Sequence, residues 1–177
     1  MKLTALISLF AAASSVLAGT YTIPEDLPDG TYLFTLDADG NQITTLLNAT
    51  NTDTATERER AYNWPAGTYT ACPGGDGLKF SDFFDHAWNM FFNECYDSEV
   101  NSRYYTGALF SSYGTAKAYM CAWTPNICRP AEWAAAIDWM RNTCPGLSSN
   151  GFMETAFLQI PAWNKRYGYA RNTASIC

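Results

Sequence analysis

Histidine is almost missing from this chain: His86 is the only one. No two cysteines stand in a Cys-x-x-Cys pair, so zinc spacings and a metal role are not expected. The same scarcity weakens a hydrolase triad, because no Gly-x-Ser-x-Gly elbow supplies a nucleophile for a lone imidazole. His86, with Asp82 one turn before it, reads instead as the solvated face of a helix. Basic residues are also few. Lys and Arg number 11 against 17 Asp and Glu, a net charge of −6. That balance lacks the footprint of nucleic-acid binding and disfavours anionic membranes. Long apolar runs are absent but for Leu3 to Ala13, which is short of the roughly 20 residues a membrane span needs. With Lys2 before it and Val16-Leu17-Ala18-Gly19 after it, that run reads as a secretory signal peptide over residues 1–18. Its removal would take one positive charge with it. A secreted, extracellular protein with no transmembrane segment is expected.

What the chain does contain is cysteine, all of it late: Cys72, Cys95, Cys121, Cys128, Cys144 and Cys177. An even count in a secreted chain implies disulfides. Between the first two lies the clearest element, with Phe80, Phe83, Phe84, Ala87, Trp88, Phe91, Phe92 and Cys95 at helical spacing. Asp82, Asp85, His86, Asn89 and Asn93 form its polar face, and Ser81 or Asp82 can cap its start. A second helix begins at Pro130, which suits a first turn. It buries Trp133, Ile137, Met140 and Cys144 and ends at Pro145-Gly146. Thr68 to Ala71, Gly114 to Cys121 and Gly151 to Leu158 have strand character, and 162–177 reads as an irregular tail. The expected fold is α+β: a small disulfide-stapled α/β sandwich with two helices packed on one face of a β-sheet. Parallel neighbouring strands would bring both helix ends to one edge and predict a Cys95–Cys144 disulfide.

Upstream, Tyr32 to Leu36 and Gln42 to Leu46 flank Asp37-Ala38-Asp39-Gly40-Asn41, a turn between two β-prone runs. The Asp-x-Asp-Gly fragment is not a calcium loop, since Asn48 stands where the closing glutamate is required. Residues 19–47 are therefore expected as an N-terminal hairpin segment, 48–63 as a polar linker and 64–177 as the cysteine-rich α/β domain. Asn48-Ala49-Thr50 is an N-glycosylation acceptor.

The succession of a cysteine, an amphipathic helix ending in cysteine, Ala118-Tyr119-Met120-Cys121, Cys128 before Ala131-Glu132-Trp133, Ile160-Pro161-Ala162-Trp163-Asn164-Lys165-Arg166-Tyr167-Gly168-Tyr169 and a closing Cys177 resembles the small secreted cysteine-rich proteins of filamentous fungi, many of them candidate effectors. Leu27-Pro28-Asp29-Gly30-Thr31-Tyr32 fits their usual beginning. Members often carry a dibasic site before the cysteine region; this chain departs from that pattern, with Arg58-Glu59-Arg60 and no paired basic residues there. The rhythm is loosely similar to killer-toxin-like folds and to secreted fungal necrosis-inducing proteins. The resemblance implies a protein that works outside the cell on a host or a competitor by binding, without a cofactor.

Two other chemistries are open to the residues. Carboxylate pairs could serve a small hydrolase, but Asp82, Asp85, Glu94, Glu132, Asp138 and Glu154 each fit a helix surface or cap. Aromatics outside the helix stripes, Tyr104, Tyr105, Trp123, Trp163 and Tyr167 among them, could stack on cell-wall polysaccharide or fill the core. No catalytic residues are assigned, and a monomer with a host-protein or polysaccharide partner is expected.

Overall fold

The computed structural model describes residues 21, 23–24, 27–48, 62–75, 77–144 and 150–177. The expected leader, most of the linker and the Ala49-Thr50 end of the glycosylation motif lie outside them, as does the Asn48 side chain. The described chain is α+β, stapled by disulfides.

Strands β1 (Gly30–Leu36) and β2 (Gln42–Asn48) form the expected hairpin. Asp37 Oδ1 accepts the N–H groups of Asp39 and Asn41, and Gly40 takes the positive φ of 85° that the turn requires. Chain order then gives β3 (Tyr69–Ala71), β4 (Leu78–Lys79), a π-helical turn (Asp82–Ala87) running into α1 (Trp88–Val100), and β5 (Tyr105–Tyr113). Strand β6 (Ala116–Asn126), α2 (Pro130–Thr143), β7 (Phe152–Met153), β8 (Ala156–Ile160), a 3₁₀ turn (Pro161–Trp163) and β9 (Lys165–Arg171) complete it. The main sheet has the order β2-β1-β5-β6-β9-β8-β3, with every neighbouring pair antiparallel. Strands β4 and β7 make a separate two-stranded sheet.

Alternation along the strands sorts the apolar residues into two cores. Leu109, Ala118, Met120, Leu158, Tyr167 and Tyr169 face the helices, which contribute Phe83, Phe91, Trp133, Ile137 and Met140. On the opposite face Tyr32, Phe34, Phe110, Tyr119 and Cys121 pack under Ile23 and Ile176, so the two ends of the described chain cover it. Tyr21 and Ile176 also form a β-bridge. Both helix stripes are buried or half-buried as expected.

Five expectations need correction. The disulfides are Cys72–Cys144, Cys95–Cys128 and Cys121–Cys177, not Cys95–Cys144. The first helix does not close at Cys95; it runs on to Val100, so Cys95 sits inside it and faces the residues just before α2. The hairpin is not set apart from the cysteine-rich region either, because β1 pairs with β5 over Gly30–Phe34 and extends the same sheet. Residues 165–171 are a full strand rather than irregular tail, with both edges bonded. The helix start differs too: Ser81 makes no side-chain cap, and Asp82 Oδ2 instead accepts the N–H and hydroxyl of Thr115 at 2.8 Å each. The π-helical turn frees carbonyls that a regular helix would bind, and Asn89 Nδ2 donates to two of them, Phe84 O and Asp85 O.

Candidate functional site

At one end of the sheet, the β6–α2 connection and the turn before β9 enclose a cleft of about 310 Å³. Thr124 and Asn126 come from the end of β6, Arg129 from the connection to α2, Trp163 and Asn164 from the turn, Lys165 from the start of β9, and Glu132 from the first turn of α2. Each is positioned by backbone. Asn164 adopts φ 49°, ψ 46°, the left-handed conformation that asparagine tolerates best among residues with a Cβ. Its carbonyl accepts from Trp123 N–H at 3.0 Å, and Asn126 Nδ2 donates to Trp163 O at 2.9 Å. These two bonds tie the walls of the cleft together.

Glu132 holds the floor. It lies in the first turn of α2, where the helix N-terminus favours a carboxylate, and it is 1 % exposed. Lys165 Nζ donates to its Oε2 at 2.7 Å and Tyr167 Oη to the same oxygen at 3.0 Å. Arg129 Nη1 donates to Oε1 at 3.1 Å and Tyr62 Oη at 3.2 Å. Both oxygens thus carry two donors, which fills the lone-pair sites of a carboxylate. Lys165 also donates to Ile127 O at 2.8 Å. Burial pushes its pKa down although Glu132 opposes the shift. Burial beside the same carboxylate pushes Tyr62 up to about 12 and Tyr167 well above the usual phenol range. Outside the cleft, Arg129 Nε pairs with Glu99 at 3.4 Å. The four charges around the cleft therefore cancel.

Trp163 lines the cleft and is backed by further rings. Trp163 meets Tyr62 edge-on at 6.3 Å between centroids and Trp64 at 6.1 Å, and Trp64 meets Trp139 at 6.5 Å. Tyr62 lies within the span expected as linker, yet its ring sits tilted against Trp64 at 4.6 Å and its hydroxyl reaches Glu132.

Of the aromatics singled out in the sequence, Trp163 lines the cleft and Tyr167 lies beneath it. Tyr105 is buried elsewhere, its hydroxyl donating to Glu94 Oε1. Tyr104 is 63 % exposed at the head of β5. Trp123 sits on the other sheet face, with Arg166 Cζ 5.4 Å from its ring centroid. The cysteines form the three disulfides and none is free. His86 stacks on Tyr113 at 3.8 Å. Among the described residues no group of three or more His, Cys, Asp or Glu could hold a metal ion, and no helix is long and apolar enough to cross a membrane. Sequence reasoning missed Arg129, Lys165, Tyr62 and Asn126, and it read Glu132 as surface. One signal was available: Lys165, Tyr167 and Tyr169 alternate on one strand face, which places the lysine on the side of two rings.

Comparison with protein families, with curated proteins and with solved structures gives no match.

Proposed function

We propose that the protein acts outside the cell as an effector- or toxin-like protein that works by binding, with the cleft over Glu132 as its ligand seat. The observation that carries this reading is the occupancy of Glu132. A carboxylate whose oxygens each accept two protein donors has no lone pair poised to take a substrate proton. It serves as a rigid floor on which Arg129, Asn126, Asn164 and Trp163 are presented. Preorganised side chains of this kind favour affinity, since little freedom is lost on binding. Three disulfides are compatible with an oxidising extracellular setting.

The test compares the full, oxidised chain with a Trp163→Ala/Arg129→Ala variant for retention on plant-tissue and fungal-wall fractions. Saturable, reversible retention that the variant loses, with the retained material chemically unchanged, is the expected result. Turnover of any retained substrate, or retention indifferent to the variant, overturns the reading.

A further inference from the structure

We infer that the cleft is a seat for an uncharged saccharide residue; this rests on the binding role proposed above and names its ligand class. The argument starts from charge. Arg129 and Lys165 are matched by Glu132 and Glu99 at 2.7 to 3.4 Å. An anion would meet a guanidinium whose charge Glu132 and Glu99 already match, beside two carboxylates that repel it, and a cation would meet that guanidinium at the rim and an ammonium below it. Neither finds a net charge to neutralise. An apolar ligand fares no better, because it would cover the Asn164 amide and the Arg129 guanidinium and return no hydrogen bond.

What the cleft offers is a set of directional polar groups beside one large ring. Arg129 is 45 % exposed at its side chain and uses only two of its five N–H positions on Glu132 and Glu99. The Asn164 side chain stands at the rim on a left-handed backbone. Trp163 is half-buried, buttressed by Tyr62 and Trp64, with Lys165 Nζ 5.6 Å from its ring centroid. A sugar ring matches both halves of this surface. Its hydroxyls donate to and accept from amide and guanidinium groups, and its C–H groups pack on an indole. A volume of about 310 Å³ is at the small end for ligand pockets, which suits the end of a chain rather than a long stretch of it.

The test titrates the full, oxidised protein with neutral tetramers of glucose and of N-acetylglucosamine and with an acidic tetramer of galacturonic acid. It reads the amide signals of Asn126 and Asn164 and the indole signal of Trp163 by NMR, and affinity by calorimetry. At least one neutral tetramer should shift those signals, with the acidic tetramer roughly tenfold weaker. Trp163→Ala should weaken binding roughly tenfold and Asn164→Gly, which keeps the left-handed backbone, several-fold. Tyr69→Ala, at the exposed end of β3, should leave it unchanged. Absence of shifts with both neutral tetramers, or tighter binding of the acidic one, overturns the inference. If that happens while retention on tissue or wall fractions still depends on Trp163, the binding role stands and only the saccharide falls; if retention fails as well, both fall.

Discussion

Lys165 Nζ lies 2.7 Å from Glu132 Oε2, and at most 2 % of either side chain is exposed. The pair connects the sheet to the start of α2 directly under the cleft, so its removal should be felt in both stability and ligand binding. The two halves of the pair are not equivalent. Glu132→Ala leaves a buried ammonium with Ile127 O as its acceptor, and breaking a buried pair in this way costs about 3–5 kcal/mol. Lys165→Met leaves the carboxylate with Arg129, Tyr62 and Tyr167 and should cost clearly less. The double variant Glu132→Gln/Lys165→Met should be more stable than Glu132→Ala alone. Urea denaturation of the three variants checks the order; Lys165→Met proving the worst would show that the ammonium, not the carboxylate, is the better satisfied partner.

A second expectation concerns Gly168. Its cross-strand neighbour Tyr119 lays its ring over the glycine, so that a Cβ there would come within 2.4 Å of the ring carbon Cζ and of Oη. Tyr119 is 3 % exposed in the second core and has little room to yield. Gly168→Ala should therefore destabilise by about 1–3 kcal/mol through overpacking, although alanine is ordinarily no worse than glycine in a strand. Combining it with Tyr119→Ala should give a loss smaller than the sum of the two single losses. Additive losses in thermal unfolding would mean that the ring moves aside freely.

The disulfides give a third. Cys72–Cys144 joins the end of β3 to the end of α2, and Cys95–Cys128 joins the body of α1 to the start of α2. Separations of 72 and 33 residues correspond to about 4 kcal/mol each in the chain-entropy account, whose dependence on loop length is shallow. Removing either should thus cost similar stability, and non-reduced peptide mapping should recover both links together with Cys121–Cys177. A peptide joining Cys95 to Cys144 would contradict this arrangement.

Why the sequence pointed to the wrong pair is instructive. Residues Tyr105–Tyr113 form a strand, β5, that the mixed run of small and polar residues around Ser111-Ser112 concealed. Reading one strand between the helices implies helices that run the same way; two antiparallel strands reverse the second helix. Cys95 then meets Cys128 near the start of α2, and Cys144 at its end meets Cys72. The helices themselves were legible because period and aromatic content agree at Phe83, Phe91, Trp133 and Ile137. The cleft was not. Glu132 and Lys165 are the residue types that composition assigns to the surface, and they are buried only because each finds the other across 33 positions of sequence. No local pattern encodes such a meeting, and the same holds for Tyr62, whose partner is 70 residues away.

The last expectation follows from a lysine that has no such partner. Lys117 is fully buried on the face opposite the helices, and its Nζ donates to Ala174 O at 2.6 Å. Burial lowers its pKa from 10.5 to about 7, with no carboxylate contributing. The unfolded chain keeps the proton up to about pH 10.5, whereas the folded chain releases it near 7, so between those values the unfolded state binds more protons. Stability must rise with pH across that window. Below pH 7 both states are protonated and the full penalty of the buried charge is present. Lys117→Met removes the charge at similar volume and should be more stable than the parent by on the order of 1–2 kcal/mol at pH 5–6, after allowance for the bond lost at Ala174. Its advantage should shrink from pH 7 to pH 9 as the parent sheds the same proton. Chemical denaturation of both proteins at pH 5, 7 and 9 measures the difference directly, and an advantage that stays constant over that range would show that the ammonium is solvated in the folded state.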